Sequence, residues 1–165
     1  MVEQAGGCLC GSVRYRVTAH PNHVVICFCR FCQKTTGSDH MVEPLFDVSE
    51  FEITKGEPSV FTLMSEGSGK PVHVHFCPTC GTKLRLTFDR FPTSTGVYAG
   101  TFDNPGWFER SPENTDYFFV SAAPPGAMVP AGFPRFPEHG LNLDGSARQP
   151  EILDHHLLIG LPGSA

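Results

Sequence analysis

Three tight cysteine groups constrain this chain more than any other feature of its sequence. The groups are Cys8-x-Cys10, Cys27-x-Cys29-x-x-Cys32 and Cys77-x-x-Cys80. Four sulfurs close one tetrahedral zinc site, and three are the number expected for a second zinc that keeps an open coordination position. The cysteine count therefore predicts one structural and one reactive metal site, although spacing alone does not say which groups join.

Two other interpretations of the cysteines stay open beside metal binding, namely buried free thiols and redox switching at a C-x-x-C pair. The first seven residues contain no signal-peptide core, so we expect a cytoplasmic protein, in which clustered cysteines are more often ligands or catalytic groups than disulfides. The turn Cys77-Pro78-Thr79-Cys80-Gly81 favours a metal. Its proline presets one backbone angle, and its glycine permits a positive φ where the chain folds back.

Length and charge exclude several classes of protein. The 165 residues are the size of one domain, and the 17 glycines and 15 prolines predict many turns and little helix. The formal net charge is -5, and there is no run of lysine or arginine, which argues against nucleic-acid binding. No stretch approaches the roughly 18 apolar residues of a membrane span, so a membrane role is not expected either.

Alternating apolar and polar residues predict a mainly β fold made of short antiparallel strands. In the segment from Ser12 to Thr18, for example, Val13, Tyr15 and Val17 share one face of a strand. The other predicted strands are His23–Cys27, Met41–Phe46, Phe51–Thr54, Ser59–Leu63, Pro71–Phe76, Lys83–Phe88, Gly96–Ala99 and Tyr117–Ser121.

Helix is expected in two places only, over Cys29–Thr36 and over Glu151–Ile159. The segment from Ala122 to Gly140 is rich in proline and glycine, and we interpret it as an ordered wrapping loop with buried aromatic residues. We therefore predict one zinc-binding β domain over residues 1–140 and a C-terminal tail over residues 141–165.

Several segments together resemble the glutathione-dependent formaldehyde-activating enzyme family, whose domain also occurs in centromere protein V. They are Gly6-Gly7-Cys8-Leu9-Cys10-Gly11-Ser12-Val13-Arg14-Tyr15, Cys27-Phe28-Cys29-Arg30-Phe31-Cys32 with Thr36-Gly37-Ser38, Phe76-Cys77-Pro78-Thr79-Cys80-Gly81-Thr82 and Gly96-Val97-Tyr98-Ala99-Gly100-Thr101-Phe102-Asp103. The resemblance covers residues 6 to about 120. It departs in the C-terminal third, where many members carry a tryptophan, whereas Trp107 is the only tryptophan here.

This resemblance implies a β-tent fold of short antiparallel sheets and two zinc ions per chain. By position, the structural zinc would be held by Cys8, Cys10, Cys77 and Cys80. The catalytic zinc would be held by Cys27, Cys29 and Cys32.

The resemblance also implies a carbon-sulfur lyase of the S-hydroxymethylglutathione synthase type, with a small thiol such as glutathione and a small aldehyde such as formaldehyde as its reactants. A homodimer is one assembly to be tested. A zinc-stabilised binding or scaffold module without catalysis is the alternative. A metal-sensing or redox-sensing protein is a third function to be tested.

Other residues have a functional and an ordinary interpretation. His75 could transfer protons near a metal or be a partly exposed strand residue. Arg30, Phe31, Phe102 and Asp103 could contact substrate, although solvated charges, a turn and core phenylalanines are the ordinary alternatives. The remaining candidates are His23 and His40 as a fourth metal ligand, Arg14 and Lys34 as carboxylate-binding residues, and His155 with His156 as a metal-binding pair.

Overall fold

The computed structural model of the chain describes residues 2–160. Its strands are β1 (Gln4–Gly7), β2 (Arg14–Val17), β3 (His23–Cys27), β4 (Met41–Asp47), β5 (Phe51–Lys55), β6 (Ser59–Met64), β7 (Pro71–Phe76), β8 (Lys83–Phe88), β9 (Phe91–Val97), β10 (Thr115–Phe118), β11 (Met128–Val129) and β12 (Leu157–Leu158). One α-helix, α1, spans Arg30–Thr36 within the described residues. The predicted mainly β fold and the predicted helix after Cys29 are confirmed.

Strand bounds agree fully for three of the predicted strands. The predicted strands β3, β7 and β8 begin and end at the residues that the sequence indicates. Strand β9 begins at Phe91, five positions earlier than predicted, and β1 was not predicted at all. The strand β1 contains the sequence Gln-Ala-Gly-Gly, which has no apolar alternation, and it forms because it pairs antiparallel with β2.

The described residues form two compact units whose segments interleave along the chain. The first unit contains the residues up to His23 together with Glu43–Glu109, and the second contains Val24–Val42 and the residues from Arg110 onward. Residue 140, the predicted boundary between domain and tail, therefore lies inside the second unit.

The first unit is built from antiparallel strands. The strands β1, β2 and β5 form one sheet in that order, and β4, β9, β8, β7 and β6 are hydrogen-bonded in that order in another. A core of side chains packs between the strands, with Tyr15, Phe46 and Leu84 among the fully buried members. Two of its members are Cys8 and Cys77, so the core reaches the first cysteine group.

The second unit is organised around a parallel pair of strands, β3 and β10, in which Val24 is opposite Thr115 and Cys27 is opposite Phe118. This parallel pair departs from the predicted antiparallel pattern. Strands β11 and β12 form a separate antiparallel ribbon. Aromatic contacts fill the space beside β10, including a perpendicular contact of Phe118 and Phe136 with ring centroids 5.2 Å apart.

The proline-rich segment from Ala122 to Gly140 is ordered, as predicted. Residues in its second half run beside β10, where the amide of Tyr117 donates to the carbonyl of Pro134 and the amide of Phe136 donates to the carbonyl of Tyr117. Phe136 is buried, with 6% of its surface exposed. The segment therefore adds backbone hydrogen bonds and one buried aromatic residue to the second unit.

The predicted helix over Glu151–Ile159 is wrong. Glu151 instead exchanges both of its backbone hydrogen bonds with Arg135, and Leu157–Leu158 form β12. These partners take the backbone groups that a helix would need. Residues 161–165 of the predicted tail lie outside the described residues. Within residues 2–160, no helix has the length and apolar character that a membrane span requires.

Candidate metal centres

The first unit brings together the sulfurs of its four cysteines. All four Sγ atoms lie within 4.8 Å of one another, with 3.5 Å between Cys8 and Cys10 and 3.8 Å between Cys10 and Cys77. Four sulfurs at about 2.3 Å from a central zinc would be roughly 3.8 Å apart. The group formed by Cys8, Cys10, Cys77 and Cys80 is therefore of the right size for a tetrahedral metal site.

Two tight turns position these sulfurs. In the first, the amide of Gly11 donates to the carbonyl of Cys8, and in the second the amide of Gly81 donates to the carbonyl of Cys77. The glycines have φ values of 72° and 74°, which most other residues adopt only at a cost. The positive φ that the sequence predicts at Gly81 is thus present, and both cysteine pairs sit on turns of the same kind.

Hydrogen-bond donors surround the sulfurs of the first group. The amide of Val13 donates to the Sγ atom of Cys8 over 3.2 Å, and the hydroxyl of Thr82 lies 3.2 Å from the Sγ atom of Cys80. The contacts of Cys80 with Thr82 lower the pKa of this thiol to about 5, whereas burial raises the pKa of Cys77. Such donors stabilise thiolate, the form that binds a metal.

The second unit brings together the sulfurs of Cys27, Cys29 and Cys32, again within 4.8 Å of one another. Cys27 is the last residue of β3, and Cys29 is the N-cap of α1, whose side chain accepts a hydrogen bond from the amide of Cys32. The chain between strand and helix is short, so all three sulfurs converge at one place.

The three thiols have unequal acidities because they share hydrogen bonds. Hydrogen bonds from Cys27 and Cys32 lower the pKa of Cys29 to about 3. The hydrogen bond with Cys29, together with burial, raises the pKa of Cys27 well above that of a free thiol. The hydrogen bonds with Cys27 and Cys29, together with burial, do the same for the pKa of Cys32. Cys29 is therefore the thiol that ionises first. Ionisation of Cys27 and Cys32 as well would need a bound cation to stabilise the additional negative charge.

Both groups fit a soft or borderline metal ion by their donor atoms. Among residues 2–160, no histidine, aspartate or glutamate belongs to either group. An all-sulfur donor set suits zinc and excludes the hard ions magnesium and calcium, which prefer oxygen ligands. His23 and His40, the predicted fourth ligands, are thus outside the three-cysteine group in this structure. His40 contacts Asp39 and the ring of Phe28 instead.

The predicted substrate-binding residues fall into two sets. Arg30 and Phe31 lie between Cys29 and Cys32 at the start of α1, so they are adjacent to the three-cysteine group in the chain. Lys34 lies exposed in the last turn of that helix. Phe102 and Asp103 belong to the first unit.

The second set has partners within the first unit. Phe102 is 4% exposed and packs against Tyr15 and Trp107 in the core. Asp103 forms an ion pair with Arg14. The contacts of Phe102 agree with its ordinary interpretation as a core phenylalanine, whereas the ion pair of Asp103 was not predicted.

The remaining histidines also have local partners. His75 contacts the hydroxyl of Thr87 over 2.9 Å, and burial, with the neighbouring charges of Arg85 and His73, lowers its pKa to about 4. His156 accepts a hydrogen bond from the amide of Ala131, and His155 pairs with Asp154. His155 and His156 therefore do not form a metal site together.

Sequence reasoning missed the side chains that support the sulfurs. Thr82 and Ser12 contact sulfurs of the first group, and Gln33 holds backbone carbonyls beside the second. Each lies within two positions of a cysteine, and no pattern distinguishes such a residue from any other polar residue in a turn. Only the closeness in the chain could have drawn attention to them.

Comparison with known proteins adds to this geometry. A family model described as glutathione-dependent formaldehyde-activating enzyme matches residues 3–121. A curated Halomonas elongata protein is 30% identical over 102 residues. Its name assigns it provisionally as a glutathione-dependent formaldehyde-activating enzyme. That match covers 60% of this chain and 65% of the relative's length.

Among solved structures, the crystal structure of a Rhodobacter sphaeroides protein is similar with a TM-score of 0.49 and 19% sequence identity. The match covers 61% of this chain and 88% of that one. The family model includes all seven cysteines of the two groups. The chain belongs to the glutathione-dependent formaldehyde-activating enzyme family.

Proposed function

We propose that this protein is a zinc-dependent carbon-sulfur lyase that forms and cleaves the adduct of a small thiol with a small aldehyde. The family name supports glutathione as the thiol and formaldehyde as the aldehyde. The observation that carries the proposal is the unequal size of the two cysteine groups, four sulfurs in one and three in the other.

The four-cysteine group is proposed to hold a structural zinc. Four thiolates complete a tetrahedral site and leave no position for a substrate. Cys8 and Cys77 are buried in the core of the first unit, where a metal would connect residues that are distant in the chain. We therefore assign no chemical step to Cys8, Cys10, Cys77 and Cys80.

The three-cysteine group is proposed to hold the reactive zinc. When bound, this zinc would supply a Lewis acid with an open coordination position, which suits a substrate thiol or a carbonyl oxygen. Cys27, Cys29 and Cys32 would hold it as thiolates. Cys27 and Cys32 are buried and Cys29 is partly exposed, so the group can be reached from the side of Cys29.

The reaction itself is an addition without oxidation or reduction. The thiol sulfur forms a bond to the carbonyl carbon, the carbonyl π bond opens, and the proton lost from the thiol ends on the oxygen as a hydroxyl group. The reverse reaction breaks the carbon-sulfur bond and returns the aldehyde. Arg30, exposed beside Cys29, is proposed to pair with a carboxylate of the thiol, for which a guanidinium has the right geometry. Phe31, partly buried, is proposed to contact its apolar part.

Metal content and adduct kinetics test this proposal together. We expect two zinc ions per chain, and the exchange between free formaldehyde and the glutathione adduct, followed by NMR, should be faster than the uncatalysed exchange. The variant Cys32→Ser should keep one zinc and its fold but lose the rate enhancement.

Cobalt substitution supplies the second measurement. The spectrum of the three-cysteine site should change when glutathione is added, because a thiol enters the open position. A wild-type chain with a single zinc, or a cobalt spectrum that is indifferent to thiol, would contradict a reactive metal and favour a binding or scaffold function.

A further inference from the structure

Gln33, in the second turn of α1, makes more side-chain hydrogen bonds than its place on a helix surface requires. Its Nε2 atom donates to the carbonyl of Phe28 over 2.6 Å and to the carbonyl of Ala122 over 3.0 Å. Its Oε1 atom accepts a hydrogen bond from Arg30. A carboxamide has two N–H donors, so both are used, and each binds a backbone carbonyl.

The first of these carbonyls lies inside the three-cysteine group. Phe28 is the single residue between Cys27 and Cys29, and its amide donates to the carbonyl of Phe118 over 3.0 Å. The amide and the carbonyl of Phe28 are therefore both held by partners outside the group, and its side chain is buried with 2% exposed. With Phe28 fixed on both sides, the distance between the sulfurs of Cys27 and Cys29 has little freedom to change.

The second carbonyl belongs to a short loop that contains the 3-10 helix Val120–Ala122 and that the C-terminal part of the chain holds in place. The amides of Phe119, Val120 and Ser121 donate to the carbonyls of residues 138, 136 and 137 respectively. Phe119 has a φ of 58°, an unusual backbone conformation for a residue other than glycine, which persists only when surrounding contacts enforce it. The acceptors in residues 136–138 lie beyond the family-matched residues.

We propose that Gln33 is a positioning residue that pre-orders the three-cysteine site by connecting it to this loop. The connection runs from the carbonyl of Phe28 through the carboxamide to Ala122, and from there to residues 136–138. Residues outside the family match thus support the reactive centre of this chain. The inference rests on the proposed function in that it takes this site to bind a metal.

The variants Gln33→Met and Gln33→Glu test the proposal on the full-length, zinc-loaded protein. Met removes both donors at similar length, and Glu replaces the donating nitrogen with an oxygen that faces two carbonyls. Loss of a supporting hydrogen bond at a metal site typically weakens metal affinity by about 10–100-fold. Competition with a zinc chelator should show this weaker zinc affinity at the three-cysteine site. The zinc affinity of the four-cysteine site and the thermal midpoint of unfolding should be nearly unchanged.

Lys34→Met is the matched control, because Lys34 is exposed on the same helix. This substitution is expected to leave the zinc affinities of both sites unchanged. Hydrogen exchange, measured after only the weaker zinc is removed, gives a readout that needs no second metal. Residues 27–33 and 119–122 should exchange faster in both Gln33 variants than in the wild type.

The outcomes separate this inference from the proposed function. Second-site zinc affinity within twofold of the wild type in Gln33→Met would overturn the positioning role, even if the enzyme activity is confirmed. If the wild type binds one zinc only, the proposed function fails, and the exchange rates alone decide whether Gln33 orders the site. Unchanged exchange in both segments would then refute the inference.

Discussion

The Sγ atom of Cys10 lies 3.8 Å from the Sγ atom of Cys77, although 67 positions separate the two residues in the chain. The two cysteine pairs belong to different turns, and each turn is closed by its own backbone hydrogen bond. A metal held by both turns would close a long loop. Loop closure lowers the entropy of the chain, and the free energy of metal binding offsets this cost. The four-cysteine group should therefore matter for stability far more than its small size indicates.

Cys77→Ser is expected to remove one zinc and to destabilise the whole protein. Cys77 is fully buried, and structural zinc sites contribute on the order of 10 kcal/mol to folding. Even a third of that value lowers Tm by about 10 °C in a protein of this size. Calorimetry with metal analysis of the same sample measures both effects.

Cys32→Ser is the control, since it removes a sulfur from the group proposed to be reactive. Its Tm should fall by less than half of the change that Cys77→Ser produces. Equal falls in the two variants would contradict the division into a structural and a reactive site.

The sequence predicts the elements whose signal is local. Lys83–Phe88, for example, alternates in sequence, and its bounds agree with the structure because Leu84 and Leu86 are buried on one face. The cysteine turns are also local, since glycine and proline fix their geometry. The convergence of the two cysteine sets into groups of four and three followed from the family resemblance, because spacing alone fits several pairings.

What the sequence does not predict depends on distant partners. Glu151 lies in a segment that the sequence predicts to be helical, but its backbone hydrogen bonds with Arg135 form only after the chain has folded back. The parallel pairing of β3 with β10 joins segments about 90 positions apart in the chain, and no local pattern encodes it. The role of Gln33 is similarly invisible, because one of its two acceptors is Ala122.

Gly6→Ala is expected to destabilise the first unit, because there is no room for a side chain. A Cβ atom at this position would clash with the hydroxyl oxygen of Tyr15 and would lie 2.6 Å from the carbonyl oxygen of Thr101. Overpacking of a buried site costs about 1–3 kcal/mol. Urea unfolding should show this loss, whereas Gly67→Ala, with no atom within 4 Å of the new Cβ, should stay within about 1 kcal/mol of the wild type.

Phe102→Ala separates a core role from the substrate contact that the sequence also allows. The ring packs 5.4 Å from Trp107 and 5.5 Å from Tyr15, measured between centroids, so its loss should cost about 3–5 kcal/mol of unfolding free energy. Phe61→Ala is the control, because 60% of Phe61 is exposed and its loss should cost little. If Phe102 instead contacts substrate, the variant that remains folded at low temperature will show a raised KM for the thiol.

Asp103→Asn tests whether the aspartate serves the fold or the substrate. Asp103 pairs with Arg14 at a site where the two side chains are 54% and 31% exposed, and exposed ion pairs contribute only about 0–1 kcal/mol. We therefore expect Asp103→Asn to lower the unfolding free energy by less than about 1 kcal/mol. In about 1 M salt the difference from the wild type should disappear, because salt screens the ion pair in the wild type. The double variant with Arg14→Gln should be no less stable than Arg14→Gln alone, since the same ion pair is broken in both.

The KM for the thiol tests whether Asp103 contacts the substrate. An aspartate that pairs with Arg14 leaves KM within about twofold, whereas loss of a charged contact to the ammonium group of a peptide-like thiol would raise KM by about tenfold, corresponding to about 1.4 kcal/mol.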